Sequence, residues 1–233
     1  SMNCQKNDVP IFRFYGWSPF CVSIGYHQKD ELVDFARLVE DGYDFVQRPT
    51  GGRAILHAEE LTYSVIVPRE LIHHRLLYRF IHNLFSDALQ SLGYQVELKD
   101  DNDKLGGLTH SVNDFPCFTK SAQTEVQYKD KKLIGSAQKI YQGSILQHGS
   151  LLIGKKHETL TDYLKVDKNV KKSLKNEINE KTICLKEIIK DPISPEKIIE
   201  SIINQLELAG NISLYSKRIN ELEMNSLNKF IKK

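Results

Sequence analysis

Cysteine is scarce in this chain of 233 residues, and it is not patterned. Cys4, Cys21, Cys117 and Cys184 form no CxxC pair, and their spacings fit no zinc template. A disulfide framework is equally foreign to a chain of this size, so free thiols in a reducing compartment are the expectation. Long apolar runs are missing too. Spanning a bilayer takes roughly 20 consecutive apolar residues, and no stretch approaches that. No basic n-region leads into an apolar h-region, so no secretion signal is visible and a cytoplasmic protein is expected. Neither sign of charge dominates: 32 Lys and Arg face 30 Asp and Glu, for a net charge of +2. Such a balance makes no demand for a nucleic-acid or membrane partner. No repeat and no low-complexity tail are present. Ser1-Met2 reads as a scar of tag removal.

What is present is a chain 40% hydrophobic and 27% charged, enough for one substantial core. Alternating bulky and polar residues predict strands at Ile11-Phe-Arg-Phe-Tyr-Gly-Trp17, Cys21–Tyr26, Tyr43–Val46, Leu61–Val67, Val96–Leu98, Thr124–Lys129, Leu133-Ile134 and Ser144–Ile153. Helical spacing predicts a helix from Asp30, as N-cap, to Asp41. A long helix is expected from Glu70 to Leu92, closed by Gly93. A lysine-rich helix is expected within Lys165–Lys190, and another follows Ser194, with Pro195 at its first turn. Ile212–Tyr215 reads as a short strand and Asn220–Ile231 as a last amphipathic helix. Polar residues from Lys99 to Asp114 form a loop longer than most. The fold class is therefore α+β, a mostly antiparallel sheet with flanking helices and a C-terminal helical segment. Residues 1–160 are expected to form the catalytic core, with 161–233 as a helical extension packed on the same domain.

The most informative segment is Arg48-Pro-Thr-Gly-Gly-Arg53-Ala-Ile-Leu-His57, between two strand-like runs. Two glycines let a backbone turn sharply and let a ligand approach closely, here with arginine on either side. It reads as a loop built to hold something. Two further segments stand out. In Lys132-Leu-Ile-Gly-Ser-Ala-Gln138, the small residues Gly135, Ser136 and Ala137 leave room for a ligand beside a fixed positive charge. Taken alone, this is more often a surface hairpin with solvated lysines. In Ile145-Leu-Gln-His-Gly-Ser150, His148 and Gly149 sit on an alternating strand, where a hydrogen-bonded core histidine is as good a reading as a functional one.

Taken in order with Arg13-Phe-Tyr-Gly-Trp17 and Leu61-Thr-Tyr-Ser64, these blocks resemble the lipoate–protein ligase A and octanoyltransferase family. The resemblance covers about residues 11–155. It implies a fold of the class II aminoacyl-tRNA synthetase and biotin ligase type. It also implies a site for an eight-carbon acyl chain, which is delivered to one lysine of a lipoyl domain or of glycine-cleavage H protein. Two chemistries occur in the family. Ligases form an acyl-adenylate and need ATP and Mg. Transferases take octanoate from octanoyl-acyl carrier protein and need no cofactor. One transferase subclass uses a cysteine nucleophile upstream of the motif lysine, and Cys117 in Asp114-Phe-Pro-Cys-Phe118 matches that position. Arg53 stands where ligases commonly carry a third glycine.

The resemblance thus implies Cys117 and Lys132 as catalytic residues. A thiol needs nearby positive charge to ionise at neutral pH, and Lys132 would supply it or hold the thioester oxygen. Substrate-binding roles fall on Arg48, Gly51, Gly52, Arg53, His57, Gly135, Ser136, Ala137, His148 and Gly149, with the two histidines shuttling protons or positioning groups. No metal site is expected. Three functions follow in order: a Cys117-dependent octanoyltransferase, an ATP-dependent lipoate–protein ligase, and a non-catalytic protein that binds lipoyl or carrier domains.

Overall fold

The computed structural model describes residues 9–100 and 124–209. Cys117, most of the long polar loop and both C-terminal elements expected after residue 210 lie outside the described residues.

The largest sheet runs β1 (Ile11–Tyr15), β5 (Glu60–Pro68), β10 (Ser144–Leu152) and β9 (Ile134–Ile140), every pair antiparallel. β5 is central because its Leu61, Tyr63, Val65 and Val67 bury one face, and both of its edges are paired. A second sheet places β2 (Cys21–Ile24) between β3 (Asp44–Gln47) and β4 (Ile55–His57). Its β2–β3 pair is parallel, the exception in a mostly antiparallel architecture. The third sheet is β6 (Glu97–Asp100), β7 (Thr124–Tyr128) and β8 (Lys131–Lys132). Lys129 and Asp130 turn β7 into β8, both at positive φ.

Helix α2 (His74–Ser91) lays Leu77, Ile81, Leu84, Phe85, Ala88 and Leu89 on the large sheet, one apolar stripe at helical spacing. Gly93, at φ +90°, ends it. Helix α5 (Pro195–Leu208) packs beside α2 through Ile198 and Ile202. Its Ser194 side chain accepts from the Lys197 amide, as a capping serine should. A second core lies under the small sheet. There Val22, Ile24 and Leu56 meet Leu38 of α1 (Phe35–Glu40), Leu160 and Tyr163 of a 3-10 segment (Lys155–Tyr163), and Leu174 and Ile178 of α3 (Lys168–Lys181).

Three boundaries differ from the sequence expectation, two of them because a distant contact outweighs local preference. The helix expected from Asp30 is a 3-10 turn (Asp30–Leu32), followed by α1 with Asp34 as its cap. Val33, fully buried, forms a β-bridge with Leu164 and pulls the chain out of helix. Helix α2 starts at His74 rather than Glu70, after a turn in which the Leu71 amide donates to the Pro68 carbonyl. The lysine-rich helix breaks at Thr182, which bridges to Lys132 in parallel, and a short α4 (Leu185–Ile188) follows. The buried run Ile183-Cys184-Leu185 is what holds the chain there.

Candidate active site

The glycine loop is held from inside. Arg48 is only 6% exposed. Its Nη1 donates to the Ser23 carbonyl at 3.3 Å and to Ser23 Oγ at 3.1 Å, and its Nη2 donates to the carbonyls of Gly51 and Arg53. Its guanidinium therefore bends the loop around itself, and positive charge does not simply flank the glycines. Gly52 has φ +91°, a left-handed conformation that favours glycine. A Cβ on Gly51 would meet nothing within 4 Å, so open space lies there. Thr50 is fully buried, and its Oγ1 is 2.6 Å from His148 Nε2. This bond docks the loop onto the centre of the large sheet. His57 is not part of the loop: Ile55–His57 forms β4, paired with β2.

Strand pleating then divides the remaining residues between two faces. His148 lies opposite Ala137 and Ser64, on the face the loop covers. Burial pushes its imidazole down to about 4, helped by the nearby Arg48 charge, so His148 is neutral at working pH. Gly149 and Ser136, opposite each other, face α2. Ser136 Oγ is 2.7 Å from the Tyr63 hydroxyl and 2.8 Å from His82 Nε2. Gln147 Nε2 donates to the same Tyr63 oxygen at 3.2 Å. Gly149 is glycine for packing reasons. An added Cβ would collide with the Gly135 carbonyl, Ser136 Oγ and the Tyr63 ring.

Lys132 is 7% exposed and pairs with Glu125, Nζ to Oε1 at 2.5 Å. Gln127 Nε2 donates to the other carboxylate oxygen at 2.8 Å. Glu125 and Gln127 are two residues apart on β7, and Gln127 lies opposite Lys132 on β8. The lysine charge is thus compensated in place. It is also near enough to His82 to add to the burial that pushes that ring down to about 4.

His57 has both nitrogens engaged: Nδ1 by Glu60 Oε1 and Nε2 by Ser23 Oγ, each at 2.7 Å. Trp17 stacks on its ring at 4.4 Å between centroids. Of the two cysteines described, Cys21 and Cys184 are buried, and burial pushes both thiols up to about 12. Neither can act as a nucleophile near neutral pH.

The structure brings Arg48, Gly51, Gly52, Arg53, Ala137 and His148 together on one face, and Gly149 with Ser136 on the other. Lys132 and Gly135 sit at the hairpin and strand feeding into that sheet. Sequence reasoning missed Ser23, Thr50, Glu60, Tyr63, His82 and Glu125. Glu125 carried a signal, since it alternates with Gln127 on the strand that a two-residue turn folds back against Lys132. Among the described residues, no group of three or more His, Cys, Asp or Glu could hold a metal ion.

A glycine loop docked on an α+β sheet beside a buried lysine defines a class. The profile of the lipoyl protein ligase A/B catalytic domain matches residues 2–207, and the chain belongs to that family. Within it, the chain is similar to octanoyltransferase LipM of Kyrpidia tusciae, 35% identical over 202 residues that cover 83% of this chain and 73% of the relative. LipM of Bacillus subtilis is 30% identical over 95% of this chain and 82% of its own length. Two solved structures share the fold. The bipartite lipoate protein ligase of Thermoplasma acidophilum superposes with TM-score 0.75 at 22% identity, covering 97% of this chain and 81% of that one. A lipoate-protein ligase A bound with ATP gives TM-score 0.73 at 22% identity, covering 97% and 83%.

Proposed function

We propose that this chain is an octanoyltransferase of lipoate biosynthesis. It would take octanoate from octanoyl-acyl carrier protein and pass it to the target lysine of a lipoyl domain or glycine-cleavage H protein. The observation that carries this reading is similarity to curated octanoyltransferases along most of the chain, at 30–35% identity. Residues 1–160 would form the catalytic core, with 161–233 as its extension. The Thr182–Lys132 bridge supports that arrangement, because it ties the later segment to the catalytic hairpin. The chain would act in the cytoplasm. Among the described residues, no helix is long and apolar enough to cross a membrane.

Cys117 is the nucleophile in this proposal. Its thiolate attacks the donor carbonyl, a new C–S bond forms, the donor C–S bond breaks, and the carrier leaves as a thiolate that takes up the proton Cys117 lost on ionising. One thioester replaces another, so this step is nearly isoenergetic. The target lysine, as free amine, then attacks the Cys117 thioester. A C–N bond forms, the C–S bond breaks, and the proton lost by nitrogen returns to sulfur. Amide formation makes this step downhill without ATP. Lys132 polarises the thioester oxygen and hands part of its charge over from Glu125 as oxygen develops negative charge. Neutral His148 accepts a proton or orients the incoming groups. Gly51 and Gly52 with Arg53 shape the acyl site.

A ligase would need ATP and Mg at the same loop. The inward Arg48 weighs against phosphates there, because its guanidinium already serves Ser23 and the loop carbonyls. The test is intact-protein mass spectrometry after mixing with octanoyl-acyl carrier protein and no ATP. An octanoyl adduct on Cys117, absent in Cys117→Ser, is the expected result. Dependence on ATP, or full activity of Cys117→Ser, would sink the proposal. Carrier binding without turnover in either assay would favour a non-catalytic protein.

A further inference from the structure

Beneath the glycine loop, three side chains have the layout of a serine–histidine–acid triad. Ser23 Oγ, His57 Nε2, His57 Nδ1 and Glu60 Oε1 follow one another through two 2.7 Å bonds. A nucleophile's role fails on two counts. Ser23 is 0% exposed, and Arg48 Nη1 already donates to its Oγ.

The two ends set the direction of the bonds between them. A guanidinium can only donate, so Ser23 Oγ accepts from Arg48, and a carboxylate can only accept, so His57 Nδ1 donates to Glu60; in a ring with one N–H, Nε2 is then left to accept the Ser23 O–H. Nε2 then carries no hydrogen, and the ring is the Nδ1–H tautomer, donating to Glu60. Donation runs one way, from Arg48 through Ser23 and His57 to Glu60. The far end is fixed firmly. Glu60 Oε1 also accepts from Thr62 Oγ1 at 2.6 Å and from Ser150 Oγ at 2.8 Å. Its Oε2 is buried with no hydrogen-bond partner among the described residues. Trp17 lies on the His57 ring, 18° from parallel, and its Nε1 donates to Thr62 Oγ1, so the ring is pinned from above. The near end bends the loop, because the other Arg48 nitrogen holds the Gly51 and Arg53 carbonyls.

We propose that Ser23, His57 and Glu60 form a sealed relay that positions the glycine loop through Arg48, making Ser23 and Glu60 positioning residues of the acyl site. The relay joins a buried cation to a buried carboxylate through Ser23 and His57, so displacing either group disturbs both ends. The loop's role as acyl site rests on the proposed transferase reading, but the relay itself does not.

Hydrogen exchange read by mass spectrometry tests it on the whole protein. In Ser23→Ala, amides of residues 48–53 should exchange at least about tenfold faster, the worth of a hydrogen bond to a charged group. Peptides from α2 should be unchanged. Glu60→Gln touches no loop atom, yet it should loosen the same peptide. Nitrogen-15 NMR of wild-type imidazoles should show His57 as the Nδ1–H tautomer with a low-field proton, which stands even if a variant fails to fold. In turnover, Ser23→Ala should lose about tenfold in kcat/KM for the octanoyl donor by the same hydrogen-bond reckoning. Wild-type exchange in both variants, an Nε2–H tautomer, or labelling of Ser23 by a fluorophosphonate overturns the relay. An inactive wild-type protein that passes the exchange and NMR tests would instead overturn the transferase reading.

Discussion

Replacing Gly149 by alanine adds one methyl group at the most crowded point of the large sheet. The new Cβ would sit 2.7 Å from Ser136 Oγ and 2.7 Å from Tyr63 Cε1, and closer still to the Gly135 carbonyl. None of these neighbours can give way freely. The carbonyl belongs to paired backbone of β9, since Gly135 is in register with Ser150. Tyr63 is fully buried against Phe85 at 4.8 Å between centroids and is tied by its hydroxyl to Ser136 and Gln147. Ser136 is held by Tyr63 and His82 together. Overpacking a rigid site destabilises by about 1–3 kcal/mol, and three fixed neighbours put this one near the top. Disturbing one Ser136 hydrogen bond adds about 1 kcal/mol. A loss of about 3–4 kcal/mol shifts the melting temperature by roughly 6–16 °C in a domain of this size. Thermal unfolding followed by circular dichroism reads it directly. Adding Ser136→Ala removes one of the colliding atoms and should recover part of the loss. A single variant melting within 2 °C of wild type would refute the packing argument.

Glu125→Gln removes the carboxylate paired with a buried lysine. Urea unfolding should show a loss of about 3–5 kcal/mol, much of it regained in a Glu125→Gln, Lys132→Met double variant, where the lysine charge is removed as well. His82 and His148, both pushed down to about 4, make the fold acid-sensitive. Below pH 6.5 the unfolded chain binds protons at these rings and the folded one does not, so stability is lost as pH falls from 6.5 toward 4. Urea midpoints at pH 7, 5.5 and 4.5 should fall in that order, and a flat series would contradict the burial of these rings. Cys21 and Cys184, pushed up to about 12, should stay unmodified when the native protein is treated with iodoacetamide near neutral pH. Peptide mapping that finds either one alkylated before unfolding would show that these thiols are more accessible than the structure implies.

Much of the fold was legible in local pattern. Alternation in Leu61–Val67 marks the central strand, and the Leu77-to-Leu89 stripe with Gly93 marks the long helix and its end, because both signals come from neighbours within a few residues. Two of the three misplaced boundaries depend on partners far along the chain. Val33 answers to Leu164, and Thr182 answers to Lys132, and no helical periodicity contains those contacts. The site divides in the same way. Glycines and a lysine in recognisable order point to the loop and hairpin. That Arg48 turns inward, that Lys132 meets a carboxylate, and that Gly149 is crowded are facts of packing between separate strands. Cysteine identity alone does not distinguish a nucleophile from a core thiol; burial does so for Cys21 and Cys184.

The glycine loop rests directly on Gly25, where an added Cβ would run into the Gly52 carbonyl. The two positions are 27 residues apart in the sequence, yet they share one van der Waals gap. In evolutionary terms they behave as a single inherited character. Any lineage that places a side chain at position 25 must first move the Gly52 peptide, and with it the turn that Arg48 and Thr50 secure. Variation at position 25 should therefore appear only alongside a change in the length or composition of residues 50–53, which makes this unremarkable glycine a marker for whether a related chain keeps the same loop.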